Sequence, residues 1–173
     1  MKIIISILIV ITIISCKNEN DSQQQLVQSQ IEKKDSDTIE ISKKHKINKI
    51  IGDLDGDERN DIVEIVRSTS SGKSGLRIVF GNGKRTDYFG MGNDILKQGL
   101  KDVDWAGIFR IAPKNGIYWN NVNDDGEIVF EEDIKETDKV KLVNDGIFLH
   151  AAEGCGGGII YLKKGEYEWI QQE

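Results

Sequence analysis

The sequence predicts a mainly β fold: a single domain of antiparallel hairpins with at most one short helix, preceded by a signal peptide and a disordered tether. Three observations carry that reading. From Ile47 onward the apolar residues come in short, β-branched runs, the pattern expected of strands. Pairs that favour tight turns separate the runs, among them Asn82-Gly83, Asp125-Gly126 and Lys164-Gly165. All 12 aromatic residues lie between Phe80 and Trp169, and all 18 glycines lie at or after Gly52, so the material for a core and for its turns is confined to the later part of the chain.

The overall composition of the 173 residues, 38% apolar and 30% charged, pools three segments of different character. Residues 1–15 hold 11 apolar side chains, residues 17–45 hold 5, and residues 46–173 hold 49. Lys2 provides a positive start, and residues 3–14 form an apolar run broken only by Ser6 and Thr12. That run is too short to cross a bilayer, which needs roughly 20 residues, and it reads as the core of a signal peptide. It ends at Ile13-Ile14-Ser15-Cys16, which resembles a bacterial lipobox. The resemblance implies that the Cys16 thiol is alkylated with diacylglycerol and that Cys16 becomes the mature N-terminus. Two or three acyl chains would then hold the protein durably on a membrane of the cell envelope. Lys17 follows where inner-membrane lipoproteins of this kind carry Asp, so the outer membrane is favoured in a diderm cell.

Residues 17–45 contain no Gly, Pro or aromatic residue and are rich in Gln, Ser, Lys and Asp. Too little apolar surface is present to offset the entropy of ordering, so residues 16–45 are read as the lipidated cysteine and a disordered linker. An amphipathic helix through Leu26, Val27 and Ile31 is the competing reading. His45, at the edge of this segment, is expected to be solvated.

The domain is expected to span residues 46–173, long enough to build its own core. Residues 62–66 are apolar on both parities apart from Glu64, as in a central strand. Residues 76–80 lead through Asn82-Gly83 to Tyr88-Phe89, residues 117–119 lead through Asp125-Gly126 to residues 128–130, and residues 159–162 turn at Lys164-Gly165 into Tyr167, Trp169 and Ile170. Each pair reads as a hairpin. Only residues 94–103 read as a helix, weakened by Gly99. Sandwich, partial barrel and propeller fragment all remain open. Residues 46–173 carry 17 basic and 23 acidic side chains, a balance that argues against nucleic acid as a partner.

The sharpest motif is Asp53-Leu54-Asp55-Gly56-Asp57-Glu58-Arg59-Asn60-Asp61, with carboxylates at positions 1, 3, 5 and 9. Calcium takes six to eight hard oxygen ligands, and alternate acids in a tight turn converge on one point. The Arg59 carbonyl, at position 7, completes the protein's ligand set. Without a cation the acids would repel one another by up to about 3 kcal/mol per close pair. Followed directly by an apolar strand, the loop resembles the Asp-x-Asp-Gly-Asp-x-x-x-Asp calcium loop of FG-GAP and VCBS repeats. That resemblance covers residues 48–67 and implies Asp53, Asp55, Asp57 and Asp61 as side-chain ligands of Ca2+, with Arg59 as a carbonyl ligand. Glu58 stands where those repeats usually have Gly, and one copy cannot form a propeller, so the resemblance transfers a metal loop and not a fold. An EF-hand fits less well, since a strand follows the loop where a helix should. A second acidic segment, residues 121–132, has EF-hand spacing with Glu132 at position 12, but its Asp125-Gly126 reads as a hairpin turn.

Other chemistry is thinly represented. With Cys16 lipidated, Cys155 is left without a disulfide partner. Cys155 sits in a Gly-rich bend near His150, which invites a cysteine hydrolase as the second functional reading, although activated cysteines usually begin a helix. Gly72-Lys73-Ser74 lacks the first glycine of a phosphate loop. Trp105, Trp119 and Trp169 suit a carbohydrate platform but suit core packing better. The sequence therefore points to a lipid-anchored envelope protein without catalytic residues, whose calcium-stabilised domain binds or scaffolds a protein or glycan partner; neutralising a partner protein is a third reading.

Overall fold

The structure, a computed structural model, describes residues 38–173 except Asp124 and Cys155. Cys16 and residues 1–37 therefore lie outside the described residues, as does Cys155. The strands are β1 (Ile39–Ile41), β2 (Lys49–Gly52), β3 (Asp61–Ser68), β4 (Ser74–Val79), β5 (Thr86–Gly90), β6 (Ala106–Ala112), β7 (Ile117–Tyr118), β8 (Val140–Lys141), β9 (Gly146–Ala151), β10 (Gly157–Lys163) and β11 (Glu166–Gln172). All pairings among them are antiparallel.

The first sheet is centred on β3. One edge of β3 is shared by β1, opposite residues 66–68, and by β2, opposite residues 61–64; the other edge pairs with β4, which pairs with β5. This is the central strand expected from its two-sided apolar pattern. Its exception, Glu64, lies directly between Lys49 and Arg77 in the register and accepts hydrogen bonds from Arg77 Nε and Nη2 at 3.0 and 2.5 Å. A mid-sheet acid is thus paired across the strands on the face away from Val63 and Ile65.

The second sheet runs β11-β10-β9-β6. Val63, Ile65, Leu76 and Ile78 of the first sheet meet Phe109, Ile147, Leu149 and Ile160 of the second in one buried cluster, so the architecture is a two-sheet sandwich. β10 is apolar on both parities because it is covered on both faces. Ile160 enters that cluster, whereas Ile159 and Tyr161 enter another with Ala112, Leu142 and Ile170, against which Tyr118 and Val140 pack. The short β7–β8 pair is the cover over that outer face.

Four expectations are corrected. The folded unit begins before residue 46: β1 pairs Ile39, Glu40 and Ile41 with Ser68, Arg67 and Val66, and Ser42 is buried, donating its N–H to Ile65 O. Three residues of strand are invisible in a 29-residue polar average, and the open edge of β3 supplies the backbone partners that local composition lacks. His45 is half-buried, with Nδ1 3.0 Å from Ser42 Oγ and Nε2 3.0 Å from Val103 O. Residues 94–103 form turns, not a helix: Leu96 and Lys97 are left-handed (φ 49 and 63), as is Gly99 (φ 73). The hairpin expected across residues 117–130 shrinks to a single bridge between Val122 and Ile128, because Ile117 and Tyr118 pair with Lys141 and Val140 instead. The turns at Asn82-Gly83 and Lys164-Gly165 stand as expected, the latter with φ 53 and 86, the left-handed pair that suits the strand twist.

Asp104 ties β3 and the approach to β6 to the segment after β1. Its carboxylate accepts from Arg67 Nη2 at 2.7 and 2.9 Å and lies 3.4 Å from Lys44 Nζ. Burial opposes its charge, but the Ser74 hydroxyl, Arg67 and Lys44 outweigh burial and hold it down to about 2, from an ordinary 3.8. A carboxylate depressed on folding stabilises the fold above its unfolded pKa and loses that contribution as pH falls through its folded one. Denaturant unfolding of the native chain and Asp104→Asn should therefore show a stability difference that is full at pH 6 and shrinks between pH about 4 and about 2. A difference that stays constant over that window would rule out the assignment.

Candidate metal centre

The acidic loop is the connection of the β2–β3 hairpin. Gly52 and Asp61 face each other at its base, and residues 53–60 form the loop between them. Its shape follows from short side chains capping their own backbone. Asp53 Oδ1 accepts from Gly56 N at 2.7 Å and Oδ2 from Glu58 N at 3.1 Å; Asp57 Oδ1 accepts from Arg59 N at 2.9 Å. Gly56 is left-handed (φ 80), and a Cβ there would run into the Asn144 carboxamide. Glu58 is left-handed too (φ 65). That conformation favours glycine, and here the Asp53 carboxylate holds a non-glycine residue in it.

Asp53, Asp55 and Asp61 come together, with one carboxylate oxygen from each lying within 4.8 Å of the others. Oxygens bound to one Ca2+ at about 2.4 Å lie at most about 4.8 Å apart, so the trio fits a single hard cation. Asp55 is exposed, Asp53 half-buried and Asp61 fully buried. Asp57 is not in the trio; its Oδ2 and Asp55 Oδ2 each accept from Asn82 Nδ2 at 3.4 Å. Three of the four expected acids therefore share one point, and the fourth stands beside them on Asn82. Glu64 is directed elsewhere, to Arg77.

Asp61 has a second task. Oδ2 accepts from Leu54 N at 2.7 Å and Oδ1 from Gly81 N at 2.8 Å, so one carboxylate joins the loop to the turn after β4. Burial pushes its pKa up and the charges of Asp55 and Asp53 push in the same direction, against the pull of the Gly81 and Leu54 N–H groups. A bound cation would reverse the unfavourable charge–charge part.

Sequence reasoning missed the supports from distant segments. Asp145 Oδ2 accepts from Asp53 N at 3.0 Å, Asp53 O accepts from Asp145 N at 3.0 Å, and Asp145 Oδ1 accepts from Lys114 N at 2.9 Å. Asn144 Nδ2 donates to Leu54 O at 3.4 Å. Asn144 and Asp145 stand directly before β9, about 90 residues along the chain from the loop, and only their turn-forming residue types hint at a role.

Among its described residues the second acidic segment forms no cluster of converging acids. Asn123 Oδ1 accepts from both Asp125 N and Glu127 N, at 3.0 and 2.8 Å, which uses the oxygen that an EF-hand would turn toward a cation. Glu132 lies in an isolated 3-10 turn, Glu131–Asp133. For the hydrolase reading, Cys155 is outside the described residues. His150 stacks on Phe148 with ring centroids 5.8 Å apart and approaches Ala151 O with Nδ1 at 2.7 Å, a contact that requires the proton on Nδ1.

The two functions of the loop separate by mutation. Asp61→Ala strands the N–H of the buried Leu54, at about 1–3 kcal/mol, and releases that of the exposed Gly81, and should lower stability even in a chelator. Asp55→Ala, on the exposed side, should leave the chelated protein within about 0.5 kcal/mol of the parent. Urea titration in excess chelator measures both, and equal losses would contradict this division of labour.

Compared with known proteins, the chain matches no family model, no curated protein and no solved structure.

Proposed function

We propose that the chain is a lipid-anchored cell-envelope protein whose β-sandwich is stabilised by one Ca2+ and acts as a binding or scaffolding module. The observation that supports the calcium reading most directly is the convergence of Asp53, Asp55 and Asp61 at the base of a hairpin loop, in the order of acids that resembles the FG-GAP and VCBS calcium loop. Asp53, Asp55 and Asp61 would supply carboxylate oxygens, and Asp57 and the Arg59 carbonyl are the further donors this reading assigns. A divalent cation there would act as a structural pin, neutralising acids already held by Gly56, Glu58, Leu54 and Gly81 N–H groups. No chemical step is assigned to it.

The anchoring part rests on the Ile13-Ile14-Ser15-Cys16 resemblance and on the apolar run before it. With Lys17 after the cysteine, the outer membrane is the proposed address in a diderm cell. The module would reach a protein or glycan partner in the envelope, and its acidic balance argues against nucleic acid.

Both parts are open to measurement. Millimolar Ca2+ should stabilise the chain by about 0.4–1.4 kcal/mol if its dissociation constant lies near 0.1–1 mM, chelation should reverse the effect, and Asp55→Ala should abolish the difference. Identical melts in calcium and in chelator would refute the site. For the anchor, Cys16→Ser expressed in a bacterial host should lose incorporation of labelled fatty acid and leave the membrane fraction. A Cys16→Ser protein that still carries labelled lipid would refute the lipidation site.

A further inference from the structure

At the end of β9 away from the acidic loop, the turn at residues 94–100 leans over the start of β10 and leaves a cleft of about 290 Å3. Trp105, Trp169, Leu100, Gln98 and Gln171 line it, together with the backbone at Gly157. Half-burial of both indoles departs from the expected core role: each packs against the sandwich core and also lines the cleft. Gly158 permits this on one side, since a Cβ there would overlap the Trp169 ring. Among the described residues lining the cleft, none is charged.

The polar groups are set in advance. Trp105 Nε1 donates to Asp102 O and Trp169 Nε1 to Gln171 Oε1, both at 2.9 Å, which fixes the two rings and orients the Gln171 carboxamide, whose Nε2 donates one N–H to Glu173 Oε1 at 3.5 Å and keeps the second. Gln98 Nε2 donates to Leu96 O at 3.0 Å, leaving Gln98 Oε1 as an acceptor. Gln98 follows two consecutive left-handed non-glycine residues, Leu96 and Lys97, a backbone strain that persists where the surroundings over-determine it, ligand clamps included.

Among the described residues of this cleft a carboxylate or phosphate would meet no counter-charge, and a purely apolar ligand would leave Gln98 Oε1 and the second Gln171 N–H without a partner. A ring with one C–H face for an indole and an edge of hydroxyls for the carboxamides satisfies both kinds of wall. The volume lies near the lower limit for ligand pockets, room for one ring. A second groove of about 430 Å3 shares Gln98 and Trp169 with the first and continues past Tyr167 and the opposite charges of Lys97 and Glu168, so a chain of sugars has somewhere to go.

From these features we infer that the Trp105–Trp169 cleft binds an uncharged pyranose ring of a glycan, with the adjoining groove taking the next residue of the chain. This rests on the reading of the domain as a binding module and gives that module a ligand class. The Trp105–Trp169 cleft itself stands apart from the acidic loop, because Asp145, just before β9, and Ala151, at its end, are six residues apart, roughly 20 Å along an extended strand.

The test titrates the full-length chain with methyl glucopyranoside, N-acetylglucosamine, cellobiose and diacetylchitobiose, and with glucuronic acid and glucose phosphate as charged controls, followed by tryptophan emission and calorimetry. At least one neutral sugar should bind, its disaccharide more tightly, and the charged controls should not. Gln98→Ala, an exposed substitution that spares the fold, should weaken binding about tenfold with an unchanged melting temperature. Trp105→Phe should weaken it while retaining some stacking. The inference is overturned if no neutral sugar binds, if the charged controls bind as well, or if Gln98→Ala binds like the parent. Repeating the titration with chelator separates the two readings: calcium-dependent melting without sugar binding removes the cleft alone, and sugar binding without a calcium effect removes the metal loop alone.

Discussion

One buried carboxylate organises the first sheet. Asp61 opens β3, the strand that every other strand of that sheet needs directly or through β4, and its two oxygens take the N–H of Leu54 and of Gly81. Those donors belong to the loop before β3 and to the turn after β4, so a single side chain sets where both connections lie. Burying an ionised carboxylate is costly unless hydrogen bonds and opposite charge compensate it. Here two backbone N–H groups supply part of that compensation, and Asp53 and Asp55 add like charge. Binding of a divalent cation would therefore complete an electrostatic arrangement that the fold leaves unfinished, and its effect would pass straight into the position of β3.

The other sheet braces the same loop from outside. Asp145, directly before β9, takes N–H groups from Asp53 and from Lys114, which follows β6, and returns its own N–H to Asp53 O. The loop is thus held at its base by β2 and β3, from beneath by Asp61, and from the second sheet by Asp145. A segment fixed from three directions tolerates the left-handed Glu58 that an isolated turn would avoid. A non-glycine residue stands at this left-handed position because the surrounding hydrogen bonds, rather than the residue's own preference, determine its conformation.

What was legible in the sequence tracks what is local. The two-sided apolar pattern at residues 62–66 and the Lys164-Gly165 turn report central pairing and a tight hairpin without help from elsewhere. The acid spacing reports the three converging carboxylates for the same reason: all lie within nine residues. Residues whose structure is imposed from far along the chain were read less well. Ile39, Glu40 and Ile41 become a strand because β3 offers an edge. Ile117 and Tyr118 pair with a segment more than twenty residues away in place of the nearer run. The spacing in residues 94–103 mimics a helix, yet Ile95 N donates to Leu100 O and Gly99 N to Asp94 Oδ1, closing a turn. Asn144 and Asp145 show only turn-forming residue types in the sequence, since their contribution to the loop exists only once the two sheets face each other.

The same distinction bears on how the two halves of the molecule are used. The acidic loop is made of residues bound to one another in sequence, and its capping hydrogen bonds lie mostly within the hairpin; it is suited to being tightened by an ion and poorly suited to reading a large partner. The Trp105–Trp169 cleft draws its walls from the turn before β6, from β10 and from β11, and its shape depends on how the second sheet's strands end. Stability added at the acidic loop acts on β3 and, through Asp145, on the start of β9, whereas the cleft lies by the far end of that strand. The nearest connection between the two runs along the first sheet's side, where Tyr167 of the adjoining groove donates to Asp87, which pairs with Arg85.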